Sequence, residues 1–187
     1  MLTEIKPDKG KILISEPFLA DPNFSRAVIL LAEKSNEGSL GFVLNNKSSL
    51  ILSDVIQNNK IVEIPIFIGG PVEIDNLFFI HKSPFKELGK EIIVDDLCWG
   101  DNFDILINLL ENNKINTEDF RLFLGYSGWG KQQLETEVEQ NSWLVSDKFN
   151  SQSLLLLEGN ELWKQMLSNL GEKYAHIRNF PISPNLN

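Results

Sequence analysis

The stretch LFLGYSGWGKQQLETEVEQNSWLV, residues 122–145, sets a glycine, tyrosine and tryptophan cluster between an apolar run and an acidic segment. Its apolar run begins earlier, in DFRLFLGY (119–126), where Phe120, Leu122 and Leu124 fall on one side and Arg121 and Phe123 on the other. That two-residue period is the mark of a strand. Beyond the glycines, Leu134 and Val138 share one helical face, while Glu135 and Glu139 share another as a mildly unfavourable pair. SWLVSD (142–147) returns to strand character. The order is therefore strand, corner, helix, strand, with the helix starting near Gln132. Gly125, Gly128 and Gly130 are expected to turn the backbone around Trp129. Trp129 is then at least partly buried; the alternative is an exposed aromatic platform for a ligand or partner.

Working outward, GKILIS (10–15) is a short apolar strand closed by Pro17. SRAVILLAE (25–33) and SLGFVLN (39–45) flank KSNEG, a connection of hairpin length, and predict two antiparallel strands. LSDVIQNN (52–59) has the look of one or two helical turns, with Asp54 near the positive end. Residues 62–82 read as strand, glycine-proline turn, strand, with Pro65 at an edge or a strand start. Residues 90–96 form a further strand candidate. DNFDILINLLENN (101–113) has Phe103, Leu106, Ile107 and Leu110 at helical spacing behind Asp101 as N-cap. ELWKQMLSNLG (161–171) is a helix with Leu162, Met166, Leu167 and Leu170 inward and Gly171 as its C-terminal stop. The tail 178–187 is polar and proline-containing, and is expected to lie extended. Strands and helices do not alternate as a doubly wound parallel sheet requires, so the fold class is α+β with a mixed or antiparallel sheet.

A length of 187 residues fits one domain, residues 1–187, as one compact unit or one with two lobes. The charge of −9, from 26 acidic and 17 basic residues, repels phosphate backbones, and no basic stripe offsets it. Direct nucleic-acid binding is not expected. Cys98 is the single cysteine, which excludes an internal disulfide and suits a reducing cytoplasm. No secretory signal is apparent, and the apolar runs AVILLA and LLLL are far short of a membrane span of about 20 residues. A cytoplasmic protein without a membrane contact is expected.

Chemistry-bearing residues are few. A nucleophile elbow requires G-x-S-x-G. Gly125, Tyr126 and Ser127 fit it, but Gly128 comes one position early and Trp129 stands where the second glycine belongs. His81 and His176 are the only histidines, and neither has a partner acid identifiable by spacing. His81, after LFFI, reads as a strand-end structural histidine, and His176 as exposed. Two histidines and one cysteine without ligand spacing give no metal site, and no cofactor motif is present. Gly69 and Gly70 in IGGPV either present amides to an anion or make a turn between strands; the turn is favoured. Asn45, closing GFVLN, either bonds locally or faces a pocket. The residues available to hold a ligand or partner are Asn45, Gly69, Gly70, His81, Tyr126, Ser127, Trp129 and Gln133. Their reading is a non-catalytic binding or regulatory protein with a protein or small-molecule partner. The alternative is a hydrolase using Ser127 with His81.

Four segments taken together resemble the YqgE/AlgH family of bacterial proteins: residues 10–45, 66–82, 121–145 and 162–171, in the family's order and over most of the chain. The tract 125–143, with its glycines, two tryptophans and the Gln133-Leu134-Glu135 helix start, is the distinctive part. The resemblance implies an α+β unit with its sheet folded into a pseudo-barrel and helices outside. It also implies a cytosolic protein of no established enzymatic activity. Some members are described as transcriptional regulators, on genetic association more than on a DNA-binding motif. Ser127 stands where alanine is common, and Lys131-Gln132 replaces a frequent Pro-Gly.

Overall fold

The computed structural model describes residues 5–56, 63–89 and 91–180. Its elements are β1 (Ile12–Ser15), β2 (Val28–Lys34), β3 (Gly38–Val43), β4 (Lys47–Ile51), α1 (Leu52–Ile56), β5 (Pro65–Ile68), β6 (Val72–Lys82), β7 (Glu91–Val94) and β8 (Leu97–Gly100). They continue with α2 (Phe103–Glu111), β9 (Phe120–Gly130), α3 (Gln133–Glu139), β10 (Trp143–Ser146), α4 (Ser151–Leu156), α5 (Gly159–Leu170) and α6 (Ala175–Arg178). One mixed sheet runs β10-β1-β2-β3-β9-β6-β8-β7, with β5 joining β9 to β4. All its ladders are antiparallel except β5–β9. The sheet curls into a half-barrel with helices packed against it, as an α+β reading requires.

β1 is apolar without alternation because both its faces are covered. Ile12 and Ile14 enter the inner core with Phe42, Leu144 and Trp163, while Leu13 enters an outer core with Trp129, Trp143 and Leu134. Amphipathic α3 covers that outer face with Leu134 and Val138. A third core, at the other end of β6 and β9, packs Phe79, Phe120 and Leu122 against Leu106 of α2. The 25–45 hairpin forms as β2 and β3, with a register shift between Leu31 and Glu33 that turns Glu33 opposite Leu40.

Several boundaries differ from the sequence reading. The strand expected to stop at 126 runs on to Gly130, because residues 127–130 pair with 38–41 of β3. Glycines weaken a strand, yet ladder pairing overrides the propensity. The turn falls instead at 131–132, where Gln132 takes a left-handed conformation with φ 60°. α2 is capped by Asn102, whose side chain accepts from the Ile105 N–H at 3.3 Å; the N–H of Asp101 donates to Leu88 O instead. The helix at 52–59 is seen to Ile56, and residues 57–59 lie outside the described ones, as does residue 90 of the strand at 90–96. The tail expected to be extended begins inside α6 at Arg178, and 181–187 are outside the described residues. β4, β8, α4 and α6 have no counterpart in the sequence reading.

Candidate functional site

The two glycine clusters that the sequence presents separately meet in one crossing. β5 lies parallel to β9 on one edge, with Ile66 opposite Leu122 and Ile68 opposite Leu124. β6 lies antiparallel to β9 on the other edge, with Leu77 opposite Leu124 and Val72 opposite Tyr126. Residues 69–71 must therefore pass over β9 between its two edges. They do so against residues 125–127, backbone on backbone. A Cβ on Gly69 would collide with the Gly125 carbonyl oxygen, and one on Gly70 with the Tyr126 backbone. Gly125, at φ 66°, would set a Cβ 2.6 Å from the carbonyl oxygens of both Gly70 and Val72. Glycine is required on both sides of the crossing.

Ser127 closes it. Its side chain is fully buried, and its Oγ donates to Gly69 O at 3.0 Å; the same oxygen accepts the Val43 N–H at 2.8 Å. His81 pairs with Phe120, seven positions along β9 from Ser127, a span of up to about 23 Å at strand rise. The hydrolase pair is not brought together. His81 is fully buried, with Nδ1 2.9 Å from Lys82 O and no partner on Nε2 among the described residues. Burial pushes the imidazole below its ordinary pKa, against smaller opposing effects of the Lys82 carbonyl, Asp101 and Glu87.

Asn45 is consumed by structure. Its Oδ1 accepts from Val28 N at 2.9 Å, and its Nδ2 donates to Arg26 O at 2.9 Å and Gly159 O at 2.7 Å, tying the hairpin to the start of α5. Trp129 is 6% exposed, in edge contact with Trp143. Both indole N–H groups donate to one carboxylate oxygen of Glu137, at 2.9 and 2.8 Å. Gln133 completes the network, accepting from Gly130 N at 3.0 Å and donating to the other Glu137 oxygen at 2.9 Å. Glu137 was missed by the sequence reading. Its signal is local: it follows Gln133 by four positions on the helix that the two tryptophans flank.

Arg121 was missed as well. It is a buried cation with no carboxylate ion pair among the described residues; its guanidinium donates to Leu44 O, to Leu157 O at 3.1 Å and to Leu155 O at 2.6 Å. It lies 4.1 Å over the Phe67 ring. Burial lowers its pKa to about 10, partly offset by Glu158. The carbonyls at the end of α4 carry the negative end of that helix, which suits a cation.

Gln133 is exposed but bonded into the Glu137 network, and Tyr126 is the other candidate polar side chain that reaches the surface. Half-buried, it sets its hydroxyl 3.5 Å from Glu73 Oε1, and burial together with that carboxylate pushes the phenol pKa up. It lines, with Trp129, a groove of about 610 Å³ that is open to solvent along one side. Leu40, Val72 and Gly128 complete the floor, and Lys9, Glu33, Lys34 and Glu91 stand on the rim. Lys9 pairs with Glu91 at 2.7 Å and Lys34 pairs with Glu135, whose pKa that contact lowers. Of the eight residues singled out from sequence, Gly69, Gly70, Tyr126, Ser127, Trp129 and Gln133 gather at the crossing and its groove. Asn45 and His81 lie elsewhere.

The family model described as AlgH-like (DUF179) matches residues 12–175. A UPF0301 protein of Cytophaga hutchinsonii is 41% identical over 180 residues, covering 96% of this chain and 98% of the relative. One of Bacteroides thetaiotaomicron is 39% identical over 188 residues, covering 98% and 93%. The solution structure of the AlgH protein from Pseudomonas aeruginosa superposes with a TM-score of 0.74 at 27% identity, over 96% of this chain and 98% of that one. The crystal structure of protein DIP2367 from Corynebacterium diphtheriae gives a TM-score of 0.78 over 95% of each chain; at 19% identity it speaks for the fold alone.

Proposed function

The chain belongs to the AlgH-like family, and from that premise we propose that it is a non-catalytic binding or regulatory protein of the bacterial cytoplasm, acting through a partner held in the groove beside Tyr126 and Trp129. One observation carries the reading. The serine, asparagine and glutamine of the candidate set spend their polar atoms on internal hydrogen bonds, whereas the groove offers an aromatic hydroxyl and an apolar floor to solvent. Burial of Ser127 and its separation from His81 oppose the hydrolase alternative. Any effect on transcription would run through that partner, since a charge of −9 disfavours direct contact with DNA.

No helix among the described residues is long and apolar enough to cross a membrane. The test is photo-crosslinking in cells from Ser35 and Glu91 on the groove, with Gln165 on α5 as the remote control. Adducts from the groove positions alone, lost in Tyr126→Ala, support the reading. Equal yields from Gln165, or none from either groove position, overturn it.

A further inference from the structure

Gly128 is a glycine that the fold does not require. It sits in β9 opposite Leu40, and a Cβ there would first meet Tyr126 Cε2 at 3.4 Å and Val72 Cγ2 at 3.8 Å, ordinary contact distances. Gly130 is equally unobstructed but lies outside the groove. Glycine inside a strand is unfavourable and commonly marks a bulge, a bend or a place that something else approaches closely; the ladder of Gly128 with β3 has no register shift, which sets the bulge aside. Here the missing side chain leaves a hollow in the groove floor, walled by the edge of Tyr126, Val72 and Leu40.

The rim has a sign. Lys9 and Lys34 are each held by a carboxylate, while exposed Glu33 has no ion pair among the described residues and Glu73 stands beside the Tyr126 hydroxyl. The charge left over is negative, as is that of the whole chain. Small-molecule sites enclose most of their ligand, and this groove is open to solvent.

We propose that the groove receives a basic segment of another protein, seating an aromatic or aliphatic side chain in the hollow over Gly128 and a flanking lysine or arginine against Glu33. The proposal deepens the groove reading above and rests on it.

Its test is titration of the ¹⁵N-labelled full chain with two capped peptides, one lysine-phenylalanine-lysine and one glutamate-phenylalanine-glutamate. The basic peptide should shift the amides of Leu40, Tyr126 and Gly128, and the acidic one should not. Glu33→Lys, an exposed change that leaves the core intact, should weaken the basic peptide about 2- to 5-fold. Gly128→Val, which fills the hollow, should weaken it about tenfold or more. Equal shifts with the acidic peptide, shifts elsewhere only, or affinity unchanged in both variants would overturn the assignment. Groove crosslinks that persist in cells while the basic peptide fails to bind would sink this inference and leave the groove reading standing. Loss of both would remove both.

Discussion

The Ser127 hydroxyl and the Gly69 carbonyl, 58 residues apart in sequence, meet at 3.0 Å where the chain crosses over β9. The serine of a broken nucleophile-elbow pattern, in which the sequence offers a nucleophile only as the alternative reading, is therefore a fastener between two glycine-bearing segments. It is fully buried, and its proton is already donated.

Ser127 is accordingly expected not to react with a fluorophosphonate, as intact-mass spectrometry of the treated protein will report. Ser127→Ala removes one buried hydrogen bond while Gly69 O keeps the Val43 N–H, so the cost should be about 0.5–1.5 kcal/mol. Covalent labelling that disappears in Ser127→Ala would reverse this view of the residue.

Glu137 holds Trp129 and Trp143 together by accepting from both indoles. Trp129→Ala should cost about 3–5 kcal/mol, the range for truncating a buried aromatic. Glu137→Leu keeps both rings and strands their N–H groups, and should cost about 1–3 kcal/mol. Urea denaturation of the two variants measures both. A Trp129→Ala protein as stable as wild type would make Trp129 a surface platform after all.

His81 sets a pH dependence. Its folded pKa lies below the unfolded value, so as pH falls the unfolded chain takes up the proton first and stability drops. The loss should begin near the ordinary value of about 6.5 and continue down to the depressed folded pKa. In His81→Leu this part of the acid sensitivity should vanish. Denaturation midpoints across pH 5 to 8 that fall in parallel for both proteins would assign it to other groups.

The sheet was largely legible because its strands carry the two-residue period and its turns carry glycine and proline: the hairpin expected over 25–45 forms as β2 and β3, and the strands expected over 119–126 and 142–147 begin as β9 and β10 within a residue of where the pattern puts them. What pattern could not supply was contact at a distance. Gly69–Gly70 and Gly125 read as separate local turns, since periodicity holds no record of which strands cross. Arg121 fits a strand on alternation alone, and its burial depends on carbonyls from Leu44, Leu155 and Leu157. β9 outran its expected end because what holds residues 127–130 in a strand is pairing with β3, which its own glycines do not announce.

Gln132 occupies a left-handed position at φ 60° with an ordinary side chain, in the turn between β9 and α3. An L-residue there costs about 1–2 kcal/mol. Glycine removes that strain but gives the unfolded chain more freedom, worth about 0.5–1 kcal/mol in the other direction. Gln132→Gly should therefore stabilise by a net amount up to about 1.5 kcal/mol, read as a higher urea midpoint at unchanged slope. A lower midpoint would mean that the turn relaxes around glutamine without strain.

Two alanine substitutions three residues apart on β9 separate a glycine of the fold from a glycine of the groove. At Gly125 a methyl group would lie 2.6 Å from two carbonyl oxygens of the crossing segment, on a backbone at φ 66° that disfavours any side chain. Neither oxygen can retreat without dragging β5 or β6 off β9. Gly125→Ala should cost more than about 3 kcal/mol, strain of the left-handed position adding to overpacking. At Gly128 the same methyl finds its first neighbour at 3.4 Å, on an extended backbone. There alanine restricts the unfolded chain at no steric cost, so Gly128→Ala should be neutral or stabilise by about 0.4–1 kcal/mol. Paired urea titrations give both values from one experiment. If Gly128→Ala proves as damaging as Gly125→Ala, the strand itself needs that glycine and the hollow in the groove floor is a by-product of folding. If it is neutral, folding does not explain the missing side chain, and the groove above it becomes the place to look for the reason.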